Sequence, residues 1–217
     1  MLAFSETLPM ETKDKKIKIL EVAEELFANK GYSATSVREI AGAADVNVAM
    51  ISYYFGSKES LLKEIFHFRS DFMQTQTDEV MGSKGMSNWE KLDFLIDQYV
   101  KKFSSNHWLH RIIVRESELN NNPDIAEFIH SRKKKHYDMI TGFLKEGQRQ
   151  GDFNKEADTL WTYTLLPAVI KFTLYNEAFL KTTLEERDGK VPDENELLEN
   201  TKQHLKKLFR KILEIKE

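Results

Sequence analysis

The 217-residue chain contains no cysteine. Disulfide staples, thiolate nucleophiles and cysteine-built zinc sites are excluded together. Glycine and proline are scarce, at nine and four residues, roughly half their average share. Folds built from many tight turns draw on both, so the shortage points to a mainly helical, all-α protein. Long apolar runs are missing as well. The least polar stretch, Thr162 to Ile170, falls well short of the roughly 20 residues that span a bilayer. The first twelve residues carry Glu6 and Glu11 without a basic start and an apolar run, so no secretory signal is read there. A soluble, cytoplasmic protein without a membrane partner is expected. Excess positive charge is absent too: the formal net charge is −3, so any contact with nucleic acid must be local.

What the chain does have is helical periodicity. Residues 1–12 read as a flexible tail. Ile19, Leu20, Ala23, Leu26 and Phe27 then share one face of a first helix, stopped by Gly31. A second begins after Thr35 and carries Val37, Ile40 and Ala41. The chain turns at Ala44-Asp45-Val46, and Asn47 caps a short third helix through Phe55, closed by Gly56. Ser57 caps a long fourth helix with Leu61, Leu62, Ile65, Phe66, Phe72 and Met73 on its apolar face. Further helices are expected near 87–103, 107–120, 123–150 and 155–182. Their punctuation is the capping box Ser87-Asn88-Trp89-Glu90, the pair Asn122-Pro123 and the stop Gly151. A polar loop, 185–191, and a second capping box, Asp193 to Glu196, precede the last helix.

The second and third helices have the spacing of a helix-turn-helix, whose second member lies in the DNA major groove. The residues are more specific than the spacing. Ile19-Leu20-x-x-Ala23-x-x-Leu26-Phe27-x-x-x-Gly31-Tyr32 leads into Thr35-Ser36-Val37-Arg38-Glu39-Ile40-Ala41. Ala44-x-Val46-Asn47 and Ile51-Ser52-Tyr53-Tyr54-Phe55-Gly56-Ser57-Lys58-Glu59 follow. Across residues 13–73 this resembles the TetR family of bacterial transcriptional regulators. The resemblance implies an amino-terminal DNA-binding domain of about three helices, with its motif near 36–55. It also implies a larger helical domain, 74–217, for effector binding and dimerisation.

The small apolar residues Ala44 and Val46 suit a close helix crossing, and Ile40 and Ile51 suit the motif's core. Opposite them, Asn47, Val48, Ala49, Met50, Ser52, Tyr53 and Tyr54 occupy the outward turns of the third helix, where base edges and phosphates are reached. Asn47 serves first as a cap. Ser36 and Arg38 at the start of the second helix complete the expected DNA-contacting set. Lys58 joins them, because a cation in the first turn of a helix holds a phosphate against the free N–H groups. Lys13, Lys15, Lys16 and Lys18 add local positive charge. The resemblance has departures: Asp45 stands where glycine is common, and Ala49, Met50 and Ser52 replace common glycine, threonine and tyrosine, so no operator sequence carries over.

Two later segments carry stripes of coiled-coil spacing. One is Trp161, Leu165, Ala168, Phe172, Tyr175 and Phe179, and the other Leu198, Thr201, Leu205, Leu208, Ile212 and Ile215. The resemblance implies that such helices from two subunits form a four-helix seam. Phe172, Tyr175, Phe179, Leu198, Leu205, Leu208 and Ile212 are its expected residues. Phe103, Trp108, Tyr137 and Trp161 are the candidates for a small, largely apolar effector. The run Arg132-Lys133-Lys134-Lys135 reads as a solvated helix face. His107 and His110 lack a well-spaced third ligand, so neither a metal nor a cofactor is expected. Nor does any phosphate loop or catalytic constellation stand out, and an enzyme is not expected. The reading is a homodimeric regulator, most simply a repressor, of a double-stranded DNA operator. A same-fold DNA-binding protein without an effector, and a helical enzyme or carrier, are the rivals.

Overall fold

The computed structural model describes residues 10–105, 107–119 and 123–215, and every regular element among them is helical. The order is α1 (Met10–Lys30), α2 (Val37–Ala44), α3 (Val48–Phe55), α4 (Lys58–Gly82) and α5 (Asn88–Ser105). Then come α6 (His107–Leu119), α7 (Pro123–Gln150), α8 (Thr159–Tyr175), α9 (Glu177–Asp188) and α10 (Glu194–Leu213). Helix α1 begins inside the stretch read as a tail, whose residues 1–9 lie outside the described set. The side chains of Lys13, Phe72, Met73, Phe103 and His107 also lie outside it. No described helix is long and apolar enough to cross a membrane.

The local signals act where expected. Gly31, Gly56 and Gly151 take positive φ at the helix ends they close. The N–H of Glu90 donates to Ser87 Oγ while the N–H of Ser87 donates to Glu90 Oε2 at 2.8 Å, a reciprocal capping box. The second box is only half made. Asp193 accepts from the N–H of Glu196 at 2.8 Å, but the Glu196 carboxylate turns to Lys190.

One expected helix, 155–182, is two. Asp158 caps α8 by accepting from the N–H groups of Leu160 and Trp161, which sets its start at Thr159. Asn176 then leaves the helical region, at φ −120° and ψ 29°, and its amide donates to the carbonyl of Phe172 at 3.0 Å. An asparagine that satisfies the preceding turn through its side chain competes with the helix. Helix α9 resumes after it and runs to Asp188, where Gly189 takes φ 73°. The stretch expected as a loop is therefore largely helical.

The chain forms two compact units. The first comprises the described residues of 10–72 and 107–131, so α6 and the first turns of α7 join the amino-terminal helices. Its core is built by Ile19, Phe27, Ile40, Ile51, Leu61 and Ile65 together with Leu109, Ile112 and Ile125. The second comprises 73–105 and 132–217. There Leu92, Ile96, Leu144, Phe153, Ile170 and Phe209 form the centre of a separate core.

Phe153 shows how tightly that core is built. It is fully buried, packs edge-on against Trp89 at 4.9 Å, and lies where Gly147 of α7 has no side chain. A Cβ at Gly147 would sit 2.2 Å from the Phe153 ring. Gly147→Ala is therefore expected to destabilise the protein by on the order of 2 kcal/mol through overpacking. A thermal melt followed by circular dichroism checks it: the expected result is a lower midpoint, and an unchanged one would refute the contact's importance.

Candidate DNA-reading helix and interior polar cluster

The first site is the turn between α2 and α3. Ser36 caps α2 by accepting from the N–H of Glu39 at 3.1 Å. Ile40, Ala41, Ala44, Ile51 and Phe55 bury the inner sides of both helices. Between them Asp45 stands at φ 57° and ψ 49°, the left-handed conformation in which glycine is common and aspartate is tolerated. Asn47 accepts from the N–H of Ala49 at 2.9 Å, so the expected cap is made.

Burying one side of α3 leaves the other outside. Asn47, Val48, Ala49, Ser52 and Tyr53 are exposed, and Tyr53 retains 78% of its surface. Met50 and Tyr54 are half-buried, and Tyr54 packs on the core and edge-on to Tyr53 at 5.2 Å. Arg38 is exposed at the start of α2.

Lys58 is the first residue of α4. Ser57 does cap α4, by accepting from the N–H of Ser60 at 3.0 Å. The Lys58 ammonium, however, lies 4.3 Å from the centre of the Tyr32 ring. Burial lowers its pKa and the charge of Glu116 opposes that shift. Among the early lysines, Lys16 is paired with Glu64 at 2.7 Å, whereas Lys18 is exposed. Glu116 accepts the N–H of Tyr32 at 3.0 Å, a buried contact between α6 and the turn after α1 that sequence patterns did not reveal.

The expected effector residues with described side chains are divided between the two units. Trp108 is packed on the first unit's core, whereas Tyr137 and Trp161 belong to the second. Trp161 is 69% exposed and looks outward. A different set meets inside the second unit. The His136 ring on α7 lies 5.1 Å from that of Tyr99 on α5 and 5.9 Å from that of Tyr163 on α8. His136 Nδ1 and the Tyr163 hydroxyl are 3.4 Å apart, and Tyr137 meets Tyr163 edge-on at 5.3 Å.

Helical register explains the convergence. Leu92, Leu95, Tyr99 and Lys102 follow one face of α5, and Tyr163, Leu166 and Ile170 one face of α8. Both faces are apolar inward and become polar at one end. Burial raises the Tyr99 and Tyr163 hydroxyls above their ordinary values, Tyr163 adding to the first and Tyr137 to the second. Burial also lowers the pKa of Lys102, and Arg132 reinforces the shift. Arg132 is half-buried, so the solvated-face reading holds only for Lys133, Lys134 and Lys135, which are exposed.

The two stripes expected at a dimer seam also separate. Phe172, Tyr175 and Phe179 stay 53%, 55% and 61% exposed in one chain. On α10, Leu205 is fully buried in the core of the second unit, while Leu198, Leu208 and Ile212 are half-buried. A charge at Leu205 would therefore strike the fold itself rather than a seam.

The sequence comparisons agree with this architecture. A family model described as bacterial regulatory proteins, tetR family, matches residues 19–65. A probable HTH-type transcriptional regulator of Bacillus subtilis, YttP, is 33% identical over 147 residues, covering 67% of this chain and 69% of that protein. The chain belongs to the TetR family of transcriptional regulators. Another TetR-family relative is the HTH-type transcriptional repressor KstR2 of Mycolicibacterium smegmatis, 24% identical over 160 residues, or 73% of this chain and 77% of that one. The same fold occurs in the regulator FadR of Bacillus subtilis, solved in complex with stearoyl-CoA. That likeness has a TM-score of 0.62 and 24% identity over 89% of this chain and 96% of that one.

Burial, with the charge of Lys102 adding to it, pushes the His136 imidazole down to about 4 from its ordinary 6.5. Between these values the unfolded chain binds a proton that the folded chain refuses, so His136 costs stability as pH falls through the window. From about pH 7 to about pH 4 the wild type is expected to lose on the order of 2 kcal/mol more than His136→Phe. Urea unfolding at both pH values tests this, and equal losses would contradict it.

Proposed function

We propose that this TetR-family regulator is a ligand-responsive repressor that binds a palindromic operator as a homodimer and acts in the cytoplasm. The observation that carries the reading is the exposed face of α3, where Val48, Ala49, Ser52 and Tyr53 stand free of the core beside the Asn47 cap. A helix held by its inner side and left open on its outer side meets the requirement for entering the major groove.

Dimerisation is supported by Trp161, Phe172, Tyr175 and Phe179. An aromatic surface of that extent is unusual on a monomer, and a two-fold seam would cover it. Such a dimer presents two copies of α3 to two inverted half-sites. The relatives are transcriptional regulators, one of them named a repressor. FadR, solved with stearoyl-CoA, supports a small, largely apolar effector and favours this reading over an effector-free one.

Helices α4 and α7 each begin in the first unit and end in the second. A ligand that shifts either one in the second unit would alter the spacing of the two reading helices, and by linkage operator and ligand would weaken each other equally. No catalytic role is assigned.

The test is fluorescence anisotropy on an operator selected from random DNA. Tyr53→Ala is expected to weaken specific binding about tenfold, as loss of one reading contact does. Phe172→Arg is expected to give a helical monomer by light scattering, with operator binding lost. Wild-type affinity in Tyr53→Ala would remove α3 from the reading role, and an intact Phe172→Arg dimer would move the seam elsewhere.

A further inference from the structure

The outer side of α3 is chemically narrow. Val48, Ala49, Ser52 and Tyr53 are exposed there, beside the Asn47 cap, and none of them carries a charge. Residues 37–55, the whole motif, hold a single cation, Arg38, and it stands on α2. The two acids of the same stretch are engaged or set apart: Glu39 pairs with Lys30, and Asp45 closes α2 in the left-handed conformation.

That composition decides which bases α3 is able to tell apart. In the major groove guanine is read by arginine or lysine on O6 and N7, cytosine by a carboxylate on its amino group, and adenine by asparagine or glutamine on N6 and N7. Helix α3 has no side chain for the first two. Asn47 suits the third by type, but its Oδ1 accepts the N–H of Ala49 at 2.9 Å, and the bidentate pairing needs that oxygen turned to the base. Ser52 and the Tyr53 hydroxyl pair equally well with several bases or with phosphate.

What remains is apolar contact. Val48 and Ala49 are the first two residues of α3, and the first turn of a reading helix is the part that meets base edges. Val48 keeps 39% of its surface, while Ile51 and Phe55 on the inner side of the same helix are buried. The branched side chain of Val48 is therefore not spent on the core. The apolar group that the major groove offers is the C5 methyl of thymine. Packing valine and alanine methyls on it removes both surfaces from water.

We propose that α3 selects thymine, with Val48 and Ala49 packed on the C5 methyl groups of thymines in each operator half-site. The proposal rests on the DNA-reading role given to α3 above and names the base that this helix distinguishes.

Base analogues in an operator selected from random DNA test it, with binding of the full chain followed by fluorescence anisotropy. Each thymine is replaced in turn by deoxyuridine, which lacks only the methyl. At one or more thymines of each half-site the wild type is expected to lose about fourfold in affinity, the worth of one buried methyl group. Changing the symmetric positions of both half-sites together is expected to cost more than tenfold. At the same positions 5-methylcytosine opposite guanine is expected to bind more tightly than cytosine opposite guanine. Val48→Ala and Ala49→Ser change exposed positions and are expected to keep their helical circular dichroism. Each is expected to bring thymine and deoxyuridine within twofold of each other at the position its side chain covers.

A selected half-site without thymine, equal affinity for thymine and deoxyuridine at every position, no gain from methylating cytosine, or a thymine preference that survives both substitutions would each overturn the proposal. The two readings fail differently. A selection that enriches no sequence removes α3 from the reading role and the thymine contact with it. An enriched operator that is weakened by Tyr53→Ala but indifferent to the methyl leaves α3 as the reading helix and removes the thymine contact alone.

Discussion

Glu116 is a carboxylate left 5% exposed, and it accepts the backbone N–H of Tyr32, 84 residues earlier in the chain, at 3.0 Å. Around this hydrogen bond the reading unit is assembled. Tyr32 stands in the turn that ends α1 and leads to α2, a turn also closed by Thr35 Oγ1 donating to the carbonyl of Gly31 at 2.8 Å. The Tyr32 ring carries the Lys58 ammonium from the first residue of α4. Beside Glu116, Arg115 lies over Gly31, where a Cβ would come within 2.7 Å of its guanidinium, and donates to the carbonyl of Asn29. One side of α6 thus grips the start of the helix-turn-helix through charge and shape together. Removing a buried acceptor leaves its donor unsatisfied, at a cost of about 1–3 kcal/mol.

A second buried carboxylate ties the long helices of the same unit. Glu24 of α1, 1% exposed, receives Nε and Nη2 of Arg69 on α4 at 2.8 and 2.6 Å, both on Oε2. Among the described residues its other oxygen has no hydrogen-bond partner. Such a pair adds little net stability over an apolar contact, but losing one member strands a charge in the core. The apolar cluster supplies the cohesion, and Glu24 and Glu116 fix which residues of α1, α4 and α6 face one another. In the second unit the polar interior is of another kind. The His136 ring meets those of Tyr99 and Tyr163, and Tyr163 meets Tyr137 edge-on.

Legibility in the sequence followed the range of the interaction. Caps and stops are decided within four residues, so Asn47, Ser57 and the Ser87–Glu90 box were readable from local pattern. The period set Ile51 inward and Asn47, Val48, Ala49, Ser52 and Tyr53 outward on α3, but it also put Met50 and Tyr54 outside, and both are half-buried. Contacts between distant segments left no such trace. Nothing near Glu116 indicates that it reaches Tyr32, and nothing near Gly147 indicates a Phe153 ring above it. The stripe on α10 was misjudged at Leu205 because one apolar helix face serves a core and a seam equally well in sequence. Aromatic content pointed to Phe103, Trp108, Tyr137 and Trp161. Aromatics are common in any core, whereas the placement of His136 among tyrosines depends on three helices at once. Asn176 divides α8 from α9 through a side-chain bond that a helical pattern does not reveal.

If the reading unit depends on α6 through Glu116, operator affinity should depend on a residue that belongs to neither helix of the motif. The measurement is anisotropy of a selected operator with wild type, Glu116→Gln and Glu116→Ala, each first confirmed as helical by circular dichroism. Glu116→Ala is expected to bind about tenfold more weakly, while the glutamine variant, which keeps an oxygen to accept the Tyr32 N–H, retains most of the affinity. Wild-type affinity in Glu116→Ala would contradict the account.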